Sequence, residues 1–250
     1  DRCRPRRRQT KKISTTTTIF TKMPDAATAR YCPPPDCDLC PRLVDFRRKN
    51  QDTWPDWHNG PVPSFGPLDA RLLIVGLAPG LKGANRTGRP FTGDYAGDLL
   101  YQTLTRFDFA TGTYDKRPDD DLQLHDCRIA NGVRCLPPEN KPIGFEVKNC
   151  RPFLVAEIEA MKNLKVILAL GGIAHNTLLS TLSERRASFK FAHSAFHTLG
   201  NGLILADSYH CSRYNTNTGR LTEEMFEALA GITQETEIPS SLLGEEDGLL

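Results

Sequence analysis

The sequence predicts a three-layer α/β/α sandwich around a central four-stranded parallel sheet. Two observations carry that prediction. Four short apolar runs do not alternate with polar residues, the pattern of strands covered on both faces. Stretches of helical spacing separate them, in a strand, helix, strand order that requires crossovers between parallel strands. A third observation bounds the answer: 250 residues, 39% hydrophobic and 25% charged, suffice for one substantial core.

The strands are expected at 71–76 (RLLIVG), 128–132 (RIANG), 165–171 (KVILALG) and 203–207 (LILAD). Helices are expected over 97–106, 151–162, 174–184 and 221–232, where apolar residues recur at helical intervals. In such sheets ligands bind beyond the carboxyl ends of the strands, so chemistry is sought in the loops after Gly76, Gly132, Gly171 and Asp207.

No apolar run approaches the roughly 20 residues of a membrane-spanning helix, so no membrane partner is expected. No secretory apolar region is found, and a reducing, cytoplasmic setting is expected. The formal net charge of +2 is uneven: residues 1–22 carry +7 and the remainder about −5. Residues 1–30 read as a disordered basic arm, or as a segment lying ahead of a natural start at Met23. Residues 31–235 read as one domain without internal repeats, and 236–250 as an acidic tail. A mildly acidic folded part meets nucleic acid only through a local basic patch.

Eight cysteines in such a chain suggest a metal before disulfides. Cys37 and Cys40 form a CxxC (CDLC), whose tight turn points both sulfurs one way. Cys135 and Cys150 flank a proline-rich loop, Cys135 after the second strand and Cys150 ahead of the next helix. Four thiolates suit tetrahedral zinc or an iron–sulfur cluster alike. Cys3, Cys127 and Cys211 read as bystanders, while Cys32 competes for a ligand position five residues before Cys37.

The loop from Gly76 (GLAPGLKGANRTGRPFTGDYAGDLL) holds six Gly and two Pro in 25 residues, yet matches neither GxGxxG nor the P-loop. Asn85, Arg86 and Arg89 offer donors to phosphates, Phe91 a platform for a base, and Asp94 and Asp98 the carboxylates. Equally, Phe91 suits a core and Asp94 a helix cap. The last strand runs into ADSYHCSRYNTNTGRL, which places His210 beyond the sheet, where it can donate to a developing anion. Ser212, Arg213, Tyr214 and Asn215 supply backbone contacts or a wedge into the stack. Asn131, ending the second strand, can donate to and accept from the edge of a base. His175 reads as helical packing or surface and is left aside.

With these segments in hand, GLAPGLKGANRTGRPFTGDYAGD at 76–98, NGVRC at 131–135, HCSRYNTNTGRLT at 210–222, CDLC at 37–40 and Cys150, the sequence resembles the family 5 uracil-DNA glycosylases. The resemblance covers residues 31–232. It implies the uracil-DNA glycosylase fold and a 4Fe-4S cluster on Cys37, Cys40, Cys135 and Cys150. It also implies monofunctional removal of uracil from DNA, to leave an abasic site, with tolerance extending to hypoxanthine and ethenocytosine. Asp94, Asn131 and His210 become the implied catalytic residues, and Gly76, Phe91, Asn131 and His210 the base site. Asn85, Arg86, Arg89, Ser212, Arg213, Tyr214 and Asn215 become the DNA contacts. A bacterial or archaeal monomer, associated with the nucleoid through DNA, is the implied setting. Two positions depart from related patterns: Leu77 stands where other uracil glycosylase families carry an acid or amide, and Cys211 interrupts the usual His-Pro-Ser. Alternatives of another class are a damaged-DNA-binding protein without catalysis and a zinc-stabilised hydrolase of free nucleotides.

Overall fold

The computed structural model describes residues 31–234, so the basic arm expected over 1–30 and the acidic tail expected over 236–250 lie outside the described residues. The first element, α1 (Pro41–Thr53), opens on a proline whose missing N–H would find no intrahelical partner in a first turn. Strand β1 (Leu72–Gly76) then leads through the one-turn α2 (Ala84–Thr87) into α3 (Tyr95–Arg106), and a small hairpin, β2 (Ala110–Thr111) with β3 (Gln123–Leu124), precedes β4 (Cys127–Asn131). Helix α4 (Gly144–Ala160) returns to β5 (Val166–Leu170), and α5 (Gly172–Thr181) to the short β6 (Phe196–Thr198) and to β7 (Ile204–Ser208). Helices α6 (Arg213–Asn217) and α7 (Glu223–Gln234) close the described chain.

The sheet runs in the order β4-β1-β5-β7-β6. Its four parallel strands are those expected, but a fifth, β6, pairs antiparallel with β7 at the edge. With three residues, two of them His197 and Thr198, β6 presents no apolar run to read. Alternation in β1 explains the two helical layers. Leu72 and Ile74 face Leu100, Leu104, Phe226 and Leu229 of α3 and α7. Leu73 and Val75 face Leu154, Leu178 and Leu179 of α4 and α5.

Three helix boundaries differ from expectation in ways that matter for the site. Helix α3 begins at Tyr95, because the Asp94 carboxylate accepts from the Gly97 N–H and caps the first turn. Helix α4 begins at Gly144 and runs through Pro152, so Cys150 lies inside the helix and not ahead of it. Glu146 Oε2 accepts from the Ile143 N–H at 2.9 Å and secures that early start, which outweighs the one bond lost at the proline. Helix α5 begins two residues early, immediately after Gly171, whose φ of 99° suits glycine.

The chain leaving β1 crosses to β4 on one side, whereas the chain leaving β5 reaches β7 on the other. The crevice above that reversal is where a parallel sheet accepts a ligand. The β1/β4 pairing continues past the strands, Gly132 N–H donating to Gly76 O and Val133 N–H to Leu77 O, both at 2.9 Å. That continuation fixes Asn131 directly across from Gly76.

Candidate active site and four-cysteine centre

A cavity of about 390 Å³ opens at the carboxyl ends of the strands, a volume in the range of small-molecule sites. Its walls are Leu77, Ala78, Pro79, Gly80 and Ala84 from the loop after β1, then Phe91, Asp94, Tyr95 and Ala96 at the entry to α3. Asn131 and Asn140 enter from the β4 side, and His210, Ser212 and Arg213 from the loop after β7. A second cavity, of about 360 Å³, lies at the other end of the sheet, and there Arg71 and Asp126 already pair with each other.

Gly76 creates the floor. A Cβ there would stand 2.6 Å from both Asn131 Oδ1 and Phe91 Cζ, so only glycine lets the amide and the ring meet over the strand end. Asn131 is 3% exposed and lines the cavity from the end of β4. Phe91 holds a φ of 52°, an uncommon conformation for a bulky residue, and belongs both to the core and to the cavity wall. That strained turn is clasped by Tyr114, whose hydroxyl donates to Phe91 O at 3.1 Å and accepts from the Gly93 N–H at 3.2 Å.

Asp94 serves the helix and the cavity at once. Oδ1 accepts from Gly97 N–H at 3.2 Å, while Oδ2 lies over Gly80 and Gly83, neither of which has a side chain to obstruct it. Burial, with the Asp98 charge adding to it, holds this carboxyl above the usual aspartate range. His210 stands across the cavity with its ring centroid 6.1 Å from that of Phe91. Burial pushes its imidazole below the ordinary histidine range, so the ring is neutral and keeps one N–H to give.

The loop after β7 holds its shape without the proline of the usual motif. Cys211 is fully buried in the core, Ser212 caps α6 by accepting from the Asn215 N–H, and Asn215 Nδ2 donates to His210 O at 2.8 Å. Asn215 therefore braces the loop from within. Tyr214, 72% exposed, and Arg213, stacked 5.2 Å from the Tyr95 ring, stand on the rim.

Two of the expected DNA contacts are corrected. Arg89 is 6% exposed and gives both terminal nitrogens to Asp120, at 2.6 and 2.8 Å, beneath the Phe65 and Tyr101 rings. Asn85 is buried and donates to Asn59 Oδ1 at 2.9 Å. Both donors are consumed in shaping the loop, because the acid and amide that meet them come from remote segments. Of that trio only Arg86 is exposed. Conversely, Tyr95 and Asn140 line the cavity without having been singled out, and Tyr114 acts on it from the loop of the β2/β3 hairpin. Tyr95 was legible beside Asp94, whereas nothing in the sequence ties Tyr114 to Phe91.

Cys37, Cys40, Cys135 and Cys150 line one small apolar cavity between α1, the loop after β4, and α4. Cys32 is absent from it and lies instead within reach of the Arg134 and Glu157 charges. Tetrahedral zinc, with Zn–S bonds of about 2.3 Å, would draw its thiolates to about 3.8 Å from one another. An iron–sulfur cluster would hold them farther apart, and four cysteines lining one cavity can serve either group. Burial pushes the Cys135 thiol up to about 12 and the Cys150 thiol to about 11, so thiolates here need a cationic group to balance them. Donors face them: Arg134 N–H points to Cys150 Sγ at 3.3 Å, Asn149 Nδ2 to Cys40 Sγ at 3.8 Å, and Arg47 lines the cavity with its Nη1 buried and unpartnered.

The family model described as "Uracil DNA glycosylase superfamily" matches residues 63–231. A type-5 uracil-DNA glycosylase of Thermus thermophilus is 43% identical over 76% of this chain and 89% of its own length. Those of Mycobacterium leprae and Pyrobaculum aerophilum are 41% and 38% identical, again over 76% of this chain, and over 87% and 84% of their own lengths. The chain belongs to the uracil-DNA glycosylase superfamily and, within it, to the type-5 uracil-DNA glycosylases.

Proposed function

We propose that the protein is a monofunctional DNA-repair enzyme that hydrolyses the N-glycosidic bond of uracil in DNA and leaves an abasic site. The observation that carries this reading is the convergence of Phe91, Asp94, Asn131 and His210 on one cavity at the strand ends. A base inside a duplex is out of reach, so the nucleotide swings out of the stack into that cavity. Phe91 stacks on the base and Asn131 reads its edge. As the bond from C1′ to N1 breaks, positive charge grows on the sugar and negative charge on the base. The Asp94 carboxylate faces the sugar and orients the water that adds to C1′. The neutral His210 ring donates its N–H to the departing anion, and the proton released by the water ends on the base. Each such preorganised contact is worth about 10²- to 10³-fold in rate.

Small walls at Ala78, Gly80 and Ala84 leave room for hypoxanthine and ethenocytosine beside uracil. Arg86, Ser212, Arg213 and Tyr214 hold the flanking DNA at the rim. Cys37, Cys40, Cys135 and Cys150 would hold a 4Fe-4S cluster, which when bound supplies a staple between α1, α4 and the loop after β4. On this reading the protein works as a monomer on DNA, in the cytoplasm and associated with the nucleoid. Among the described residues no helix is long and apolar enough to cross a membrane.

The test is base release from an oligonucleotide with one deoxyuridine, read by alkaline scission, beside a thymine control and the Asp94→Asn protein. Scission with uracil alone, and only by the unmutated protein, is the expected result. Binding of uracil-DNA without scission by the unmutated protein would replace this reading with damage recognition.

A further inference from the structure

His175 of α5, His197 of β6 and Asp207 of β7 meet at the edge of the sheet, outside the candidate active site. Among the described residues they form the one trio of histidine, cysteine or carboxylate ligand atoms lying within 4.8 Å of one another. His175 and Asp207 are 1% and 0% exposed, and His197 is 17% exposed on the side of the short β6 strand.

The hydrogen bonding of this trio is incomplete. His175 Nε2 lies 3.1 Å from Phe189 O, a carbonyl that only accepts, so this nitrogen is the donor. Nδ1 lies 2.7 Å from Asp207 Oδ1, a separation that either a ring proton or a metal ion can bridge. On the other side, Asp207 Oδ2 and His197 Nε2 are 3.4 Å apart, both buried and both without a hydrogen-bond partner. Nitrogen and carboxylate ligand atoms from three elements thus converge on one point, two of them buried without a partner.

We propose that these three residues bind a divalent first-row transition ion of the zinc class, through His175 Nδ1, His197 Nε2 and the Asp207 carboxylate. Two imidazoles and one carboxylate are a ligand set such ions take, with tetrahedral ligand atoms about 3.3 Å apart. The Nε2–H donated to Phe189 O is the outer-shell bond by which a protein fixes the tautomer and orientation of a ligating histidine. The Phe189 and Phe191 rings, with centroids 5.6 Å from His197 and His175 respectively, dry the site. An ion here joins α5, β6 and β7, and so secures the edge strand to the strand that leads into His210.

The protein is tested with the iron–sulfur centre proposed above in place, using zinc alone as the probe. At a hundredfold excess of zinc over Kd the Tm should rise by about 5–10 °C for a domain of this size. One equivalent of zinc should be retained with iron content unchanged, and both effects should vanish in His197→Gln, the most accessible of the three positions. Unchanged Tm with no zinc retained would overturn the proposal and leave a proton as the cation. Zinc uptake that persists in His197→Gln, or that matches a loss of iron, would also overturn it, by assigning the ion to the cysteines.

Discussion

Gly83→Ala tests the position of the Asp94 carboxylate without touching the carboxylate. An alanine Cβ at 83 would lie 2.8 Å from Asp94 Cγ and closer still to Oδ2, whereas ordinary contact begins at 3.4 Å. Asp94 must therefore retreat by at least about 0.6 Å at Cγ, and by about 1 Å at the oxygen that faces the cavity. Misplacement of that size costs about 10²-fold in rate, or about 2.7 kcal/mol of transition-state stabilisation. Two further alanines grade the effect. At Gly80 the Cβ would approach Oδ2 only to 3.2 Å, predicting a loss smaller than tenfold, and at Gly144 it would meet nothing within 4 Å, predicting none. Single-turnover base release from deoxyuridine oligonucleotide, with DNA affinity and Tm measured alongside, reads the series. A Gly83→Ala protein that folds, binds DNA and releases uracil at the unmutated rate would refute the placement of Asp94 at the reacting sugar.

Other expectations follow from the same geometry. Asp94→Asn keeps the helix cap, should lose base release by 10²-fold or more, and should raise Tm at neutral pH. The sign follows because burial raises the carboxyl in the folded state, so its ionisation costs stability as pH rises from the ordinary aspartate value through the raised one. Melting at a pH below that window should show no gain, and a neutral-pH Tm below that of the unmutated protein would contradict it. In pH-rate profiles, the acid limb of kcat/KM should lie above the ordinary aspartate range and persist in His210→Asn. Glu157 is fully buried between Arg128, at 2.7 Å, and Arg134; burial alone would raise its carboxyl, but the two arginines hold it low. Glu157→Ala strands both cations and should cost about 3–5 kcal/mol by denaturant unfolding; a loss under 1 kcal/mol would show that water already reaches the pair. Tyr114→Phe removes the hydroxyl that clasps Phe91 and Gly93, and should slow base release by about tenfold while costing about 1–2 kcal/mol. Cys150→Ser should strip iron and lower Tm together, and retention of full iron would remove Cys150 from the four-cysteine centre.

The parallel strands, the loops that carry the site and the four gathered cysteines were legible in the sequence, because buried strands leave unbroken apolar runs and a CxxC is local. Asp94, Phe91, Asn131 and His210 were legible as residue types at strand ends. Their common cavity depended on the register that sets Gly76 against Asn131. The sequence could not show that Arg89 and Asn85 are consumed, because Asp120 and Asn59 reach them from 31 and 26 residues away. Nor could it show Tyr114 bracing Phe91, or β6 bringing His197 to Asp207. Local composition determines which segments can become strands, helices and loops. Only packing determines which donor meets which acceptor, since the cost of leaving a buried polar group unpaired is settled by whatever the rest of the chain brings beside it.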